Sequence, residues 1–173
     1  MAAVIFFRAV NVGGHQKFQP GALAKELAAL GVVNIGAAGT WVVREEIAEA
    51  KLRAEVLRRL PFQPELMICP ARDVSRLVAG EPFRDAPAGA DIGHFASVLA
   101  KPPRAAPPLP LHFPTLGEWE IKIVHISGPF VLCARRPGKK DLYPNTVVEK
   151  HFGVAATTRN WNTFLKIREA PEK

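Results

Sequence analysis

Apolar residues come in short runs along this chain, and their spacing shifts from continuous to helical to alternating. Residues 3–10 form a near-continuous run rich in Val, Ile and Phe, which suits a strand buried on both faces. After a loop with two adjacent glycines, Pro20 opens a helix carrying Leu23, Leu27 and Leu30, and Gly31 stops it. Residues 32–37 make a second strand. Gly39-Thr40 then turns the chain into a short third strand at Trp41-Val42-Val43. The spacing predicts the longest helix over 45–60, with Leu52, Val56 and Leu60 inward and Glu49/Arg53 and Glu55/Arg59 as i,i+4 pairs. Pro61 and Pro64 end that helix, and residues 65–69 give a fourth strand. The order strand, helix, strand, strand, helix, strand is the ferredoxin-like split βαβ pattern. The expected class is therefore α+β: a ferredoxin-like βαββαβ portion over residues 1–70, then a second, smaller α+β portion over residues 71–173.

In that second portion a short helix is predicted over 71–79 and a strand over 93–100. Residues 102–114 hold six prolines and cannot form a helix or a central strand, so they are expected to run as an extended connection. Trp119-Glu120-Ile121-Lys122-Ile123 alternates and reads as a half-exposed strand. Ser127-Gly128-Pro129 turns it into Phe130-Val131-Leu132-Cys133-Ala134, apolar on both faces. A helix over 145–152, stopped by Gly153, completes the regular elements.

Beyond it lies Thr157-Thr158-Arg159-Asn160-Trp161-Asn162-Thr163, a polar stretch centred on a tryptophan, without Gly or Pro. Read as a helix start, Thr158 is the N-cap. Trp161, Phe164, Leu165 and Arg168 then form a packing stripe, with Trp161 as a buried anchor. Arg159, Asn162, Thr163 and Lys166 form a hydrogen-bonding stripe.

With 173 residues, 48% of them hydrophobic, the chain can bury a core and is not globally disordered. Its apolar runs are far shorter than the roughly 20 residues a membrane helix needs. The first residues lack a signal peptide's basic region, so the expected setting is cytoplasmic, with no membrane partner. Cys69 and Cys133 each sit in an apolar run and read as buried thiols. The net charge of +7 is uneven: residues 1–100 carry 11 basic and 10 acidic residues, residues 101–173 carry 12 and 6. That excess suits an anionic partner, nucleic acid or a phosphorylated small molecule.

Candidate chemistry gathers in three places. The loop at 11–17 follows a strand and precedes a helix, and consecutive glycines can form an anion-binding concavity of backbone N–H groups. Arg8, Asn11, Gly13, Gly14, His15 and Lys17 are its candidates, although glycine's tolerance of positive φ accounts for Gly13 and Gly14 unaided. Thr158, Arg159, Asn160 and Asn162 either satisfy nearby backbone groups or meet a phosphate, for which a guanidinium fork is suited. Arg135, Arg136, Lys139 and Lys140 form a basic loop, to which Lys166 is added as an anion patch. The five histidines show no metal spacing, and no nucleophile–base pair is visible. No metal or cofactor is expected, and no catalytic residue is assigned.

Arg8-Ala9-Val10-Asn11-Val12-Gly13-Gly14, Glu81-Pro82-Phe83 and the tryptophan stretch together resemble a widespread, mostly bacterial family known as domain of unknown function 1697. Its members typically read Arg-Gly-Ile-Asn-Val-Gly-Gly and Thr-Arg-Asn-Trp-Asn-Thr at the two ends. The resemblance covers essentially the whole chain. It implies a compact cytoplasmic α+β protein with a ferredoxin-like portion, and brings no activity, cofactor or catalytic residue. Three departures stand out. The family's Gln-Ser-Gly-Asn is here Ala37-Ala38-Gly39-Thr40, its Asn-Pro-Phe is Glu81-Pro82-Phe83, and its first glycine is Ala9.

The expected function is a non-enzymatic binding protein for an anionic ligand, nucleic acid foremost, working as a monomer or homodimer. The alternative is an enzyme acting on a phosphorylated or nucleotide-like small molecule in a cleft between the two portions. Against nucleic acid stands the lack of a strand with the aromatic signature that RNA-binding sheets use.

Overall fold

The structure, a computed structural model, describes residues 2–10, 14 and 17–170; Asn11, Gly13 and His15 of the candidate loop lie outside the described residues. The chain is mixed α and β, with two antiparallel sheets and five α-helices among the described residues. It divides into two compact units, Met1–Arg76 with Thr163–Lys173, and Leu77–Asn162.

The first unit runs β1 (Ala3–Phe7), α1 (Pro20–Glu26), β2 (Val32–Asn34), β3 (Thr40–Val43), α2 (Glu49–Leu57) and β4 (Leu66–Pro70). Its sheet has the order β2-β3-β1-β4, every neighbour antiparallel. Ile5, Phe7, Trp41 and Val43 alternate onto one face and join Leu23, Leu52 and Val56 from the helices in a single core. Pro20 stands in the first turn of α1 as expected, and a 3₁₀ turn ends at Gly31 with left-handed φ 60°.

The helix expected over 45–60 is shorter, at nine residues, and is no longer than its successors. Residues 45–48 stay outside it because Ile47 packs on the core; tertiary burial outweighs local helix propensity there. The pairs Glu49–Arg53 and Glu55–Arg59 do form, at 2.8 and 2.6 Å. Gly39, φ 72°, is required by sterics: a Cβ there would stand 2.9 Å from that of Phe7.

α3 (Ala71–Ala79) carries the chain into the second unit. There β5 (Gly93–Leu99), β6 (Leu111–Phe113), β7 (Ile121–Ser127), β8 (Phe130–Arg135) and β9 (Ala156–Asn160) form a sheet ordered β6-β7-β8-β5-β9. The last three residues of the proline-rich connection but one thus form an edge strand, the place in a sheet where nearby prolines are tolerated. α4 (Pro144–Phe152) ends at Gly153, φ 63°. It lays Val147 and Val148 on Leu99, Ile121, Ile123, Val131 and Cys133.

α5 (Trp161–Glu169) begins two residues before the chain re-enters the first unit. In that unit Phe164 is fully buried and stacks on Phe6, ring centroids 5.4 Å apart. Burying such a ring is worth about 1.5–3 kcal/mol.

The tryptophan stretch is therefore a strand followed by a helix. Thr157, Thr158 and Arg159 belong to β9, and Asn160 caps α5, its Oδ1 accepting the Asn162 backbone N–H at 2.9 Å. Phe164 and Ile167 are the buried positions of α5, while Trp161 is half-buried.

Candidate functional site

Trp119 and Glu120 enter β7, and Arg136 leaves β8, its strand partner, so the hairpin brings them side by side. Glu120 is only 5% exposed. Its carboxylate accepts the backbone N–H of Lys140 at 2.7 Å and that of Leu142 at 2.8 Å. Charge-assisted bonds of this kind are among the stronger ones, and they fold the loop at 138–142 over the carboxylate. Gly138 lies so close that a Cβ there would collide with Glu120.

The Arg136 guanidinium sits 4.4 Å from the Trp119 ring centroid and donates through Nε to the Trp119 carbonyl at 2.7 Å. The Lys122 ammonium is 5.1 Å from the same ring. Arg135 is otherwise engaged. It donates to the Leu142 carbonyl and to Asp141, each at 2.8–2.9 Å, and its guanidinium lies 4.9 Å from the Tyr143 ring. Lys139 and Lys140 are exposed, and among the described residues no carboxylate pairs with either.

Two grooves meet at this loop. One, about 350 Å³, is lined by Trp119, Arg136, Lys139 and Lys140, with Glu118 also on its wall. The other, about 490 Å³, shares Lys140 and Pro114 with it and adds Phe113, Lys150 and His151. Such a surface can hold an anion by charge and a planar group by apolar contact. Lys150 and His151, the basic last turn of α4, carry no signal in the sequence that singles them out.

Thr158 and Arg159 bond within β9 and to its neighbours. Thr158 donates to Asn145 Oδ1 at 2.9 Å, and its hydroxyl lies 2.6 Å from that of Ser97, its register partner, so it ties β9 to β5 and α4. Arg159 is 8% exposed and donates to Thr157 Oγ1 at 2.7 Å and to the Thr158 carbonyl at 3.0 Å. Burial pulls its pKa down to about 10, which leaves it charged at neutral pH. Asn160 and Asn162 are exposed at the helix start. Arg8, Gly14 (φ 81°), Lys17 and Lys166 belong to the first unit; Arg8 is half-buried, Lys17 and Lys166 exposed.

The middle motif has a clear position. Phe83 lies parallel to the His94 ring at 4.3 Å and meets Trp161 edge-on at 5.1 Å. Two of the three segments singled out in the sequence thus touch. A family model described as "Protein of unknown function (DUF1697)" matches residues 1–112. The chain belongs to this family. The matched stretch of DUF1697 covers the first unit's sheet and runs to β6, short of Trp161. Among solved structures, the conserved bacterial protein SP0830 from Streptococcus pneumoniae is similar, with a TM-score of 0.58 and 18% identity over 96% of each chain. At that identity the likeness is one of fold. No curated protein matches the sequence. Among the described residues no cluster of His, Cys, Asp or Glu could hold a metal, and no helix is long and apolar enough to cross a membrane.

Proposed function

We propose that this DUF1697 protein is a non-enzymatic, cytoplasmic binding protein for an anionic ligand, with nucleic acid as its partner. The observation that carries the reading is the loop of Lys139 and Lys140. Its backbone is fastened to the buried carboxylate of Glu120, while both exposed lysines line one groove with the Trp119–Arg136 pair. A fixed loop loses less conformational entropy on binding than a free one. The strand order and antiparallel pairing of the first sheet support a ferredoxin-like reading of that half, an architecture shared with RNA-binding sheets.

Arg136, Lys139 and Lys140 are the ligand-contacting residues in this reading. Thr158 ties β9 to its neighbours, Arg159 bonds within β9, and Asn160 caps α5. Titration of labelled RNA and DNA at several salt concentrations tests it. Binding at low salt that weakens steeply as salt rises is the expected result. No binding at low salt rejects it, because phosphate contacts are strongest there.

A further inference from the structure

A third groove, about 520 Å³, lies in the same unit between the proline-rich connection and the end of α4. Lys101 and Arg104 stand on one wall, and His151 and Phe152 on the other. His151 also lines the groove that holds Lys150 and Lys140, and Lys140 also lines the groove beside Trp119. The three depressions therefore adjoin in series, joined at His151 and at Lys140. We propose that they form one track that takes an extended single strand of nucleic acid.

Charge supports this assignment. Lys101, Arg104, Lys139, Lys140 and Lys150 are exposed, and among the described residues none has a carboxylate partner. By contrast Arg53, Arg58, Arg59, Arg72, Arg76 and Arg84 all pair with acids, mostly one helical turn away. Five unpaired cations thus border the three adjoining grooves, although Lys17, Lys25, Lys51, Lys166 and Arg168 are likewise exposed and unpaired elsewhere among the described residues. The carboxylate of Glu120, which lines the track, is bound to backbone N–H groups, and Asp141 of the adjoining loop pairs with Arg135. Glu118 alone adds negative charge at one wall.

Shape selects the single strand. The walls mix cations with apolar surface from Phe113, Phe152 and prolines, the combination that tracks a backbone and contacts base faces. Duplex readers insert a helix or ribbon into a groove of the nucleic acid. Here the named charges lie on loops and on the last turn of α4 and not along one helix or ribbon.

This inference rests on the anion-binding reading above, and one experiment separates the two. Fluorescence anisotropy is read for a labelled homopyrimidine strand and for its duplex, across a salt series. The proteins are the wild type, Lys101→Ala with Arg104→Ala, and Lys139→Ala with Lys140→Ala. Each pair is exposed, and thermal melts verify that each variant folds. Both pairs are expected to weaken single-strand binding roughly tenfold and to lower the salt slope by about 1.4, two phosphate contacts at about 0.7 each. Loss with the second pair and none with the first overturns the track and leaves the local site. Duplex binding as tight as that of the strand overturns the single-strand assignment. No binding of either at low salt overturns both readings.

Discussion

Phe83 meets Trp161 edge-on, ring centroids 5.1 Å apart, while its face is covered by His94. Two sequence motifs nearly eighty residues apart are thereby one packing cluster, which accounts for a tryptophan in an otherwise polar stretch. Phe83→Ala should cost about 2–3 kcal/mol, the lower range for aromatic truncation because Phe83 is half-buried. Phe83→Leu should cost about 1 kcal/mol. Urea denaturation followed by tryptophan fluorescence measures both; equal effects for the two would deny the aromatic contribution.

Two family departures fall on strained backbone. Ala9 has φ 55° where the family's motif has glycine, and Glu81 has φ 45° where it has asparagine. A left-handed conformation costs an ordinary residue roughly 1–2 kcal/mol, while glycine and asparagine adopt it readily. Ala9→Gly and Glu81→Asn should each raise stability by up to about 1 kcal/mol. The second loses the Glu81–Arg84 pair, but that pair is exposed and contributes little. A fall in the denaturation midpoint for both variants would contradict the strain argument.

Glu120→Gln keeps the shape but offers one acceptor oxygen to two N–H groups. The expected loss is about 1–3 kcal/mol, the cost of a buried unsatisfied donor. Slowed amide exchange at Lys140 and Leu142 should disappear in the variant, and anion binding should weaken although no cation was removed. Unchanged exchange at both amides would show that the loop is held by something else.

Burial pushes the Cys69 and Cys133 thiols up to about 12; for Cys69 the charges of Asp73 and Glu49 add to the effect. The folded state therefore keeps protons that the unfolded chain releases from about pH 8.5. Stability from these groups is full below that pH and declines as pH rises toward 12, by at most about 1.4 kcal/mol per pH unit for each thiol. Native protein should resist thiol reagents at pH 8 and react after denaturation. Replacing both by Ala should flatten the alkaline slope of a stability–pH curve, and an unchanged slope would assign it to other groups.

Much of the first unit was legible because its signals are local. Pro20 and Gly31 bracket a helix, and Val4, Ile5 and Phe6 leave no alternative to a buried strand. Residues 71–79 carry a helical repeat that the structure reproduces to the residue. The tryptophan stretch is ambiguous in sequence because two residues, Thr158 and Asn160, both suit a helix cap. The adjacent β-branched Thr157 and Thr158 favour a strand, and the cap falls to Asn160. The basic loop was visible as a charge run. Lys101, Arg104, Lys150 and His151 were not, since only the sheet order brings residues fifty apart onto adjoining grooves.

The return of α5 to the first unit makes the second unit an insertion, entered through α3 and left through α5. A fragment cut at residue 112, where the family match ends, would lack β7, β8 and β9, the neighbours of β5 and β6. It would also take Phe164 away from Phe6, so damage at one terminus would reach the sheet formed by the other. The stretch by which this protein is recognised is thus shorter than the stretch it needs to stand, and truncation screens guided by the family boundary should yield aggregates.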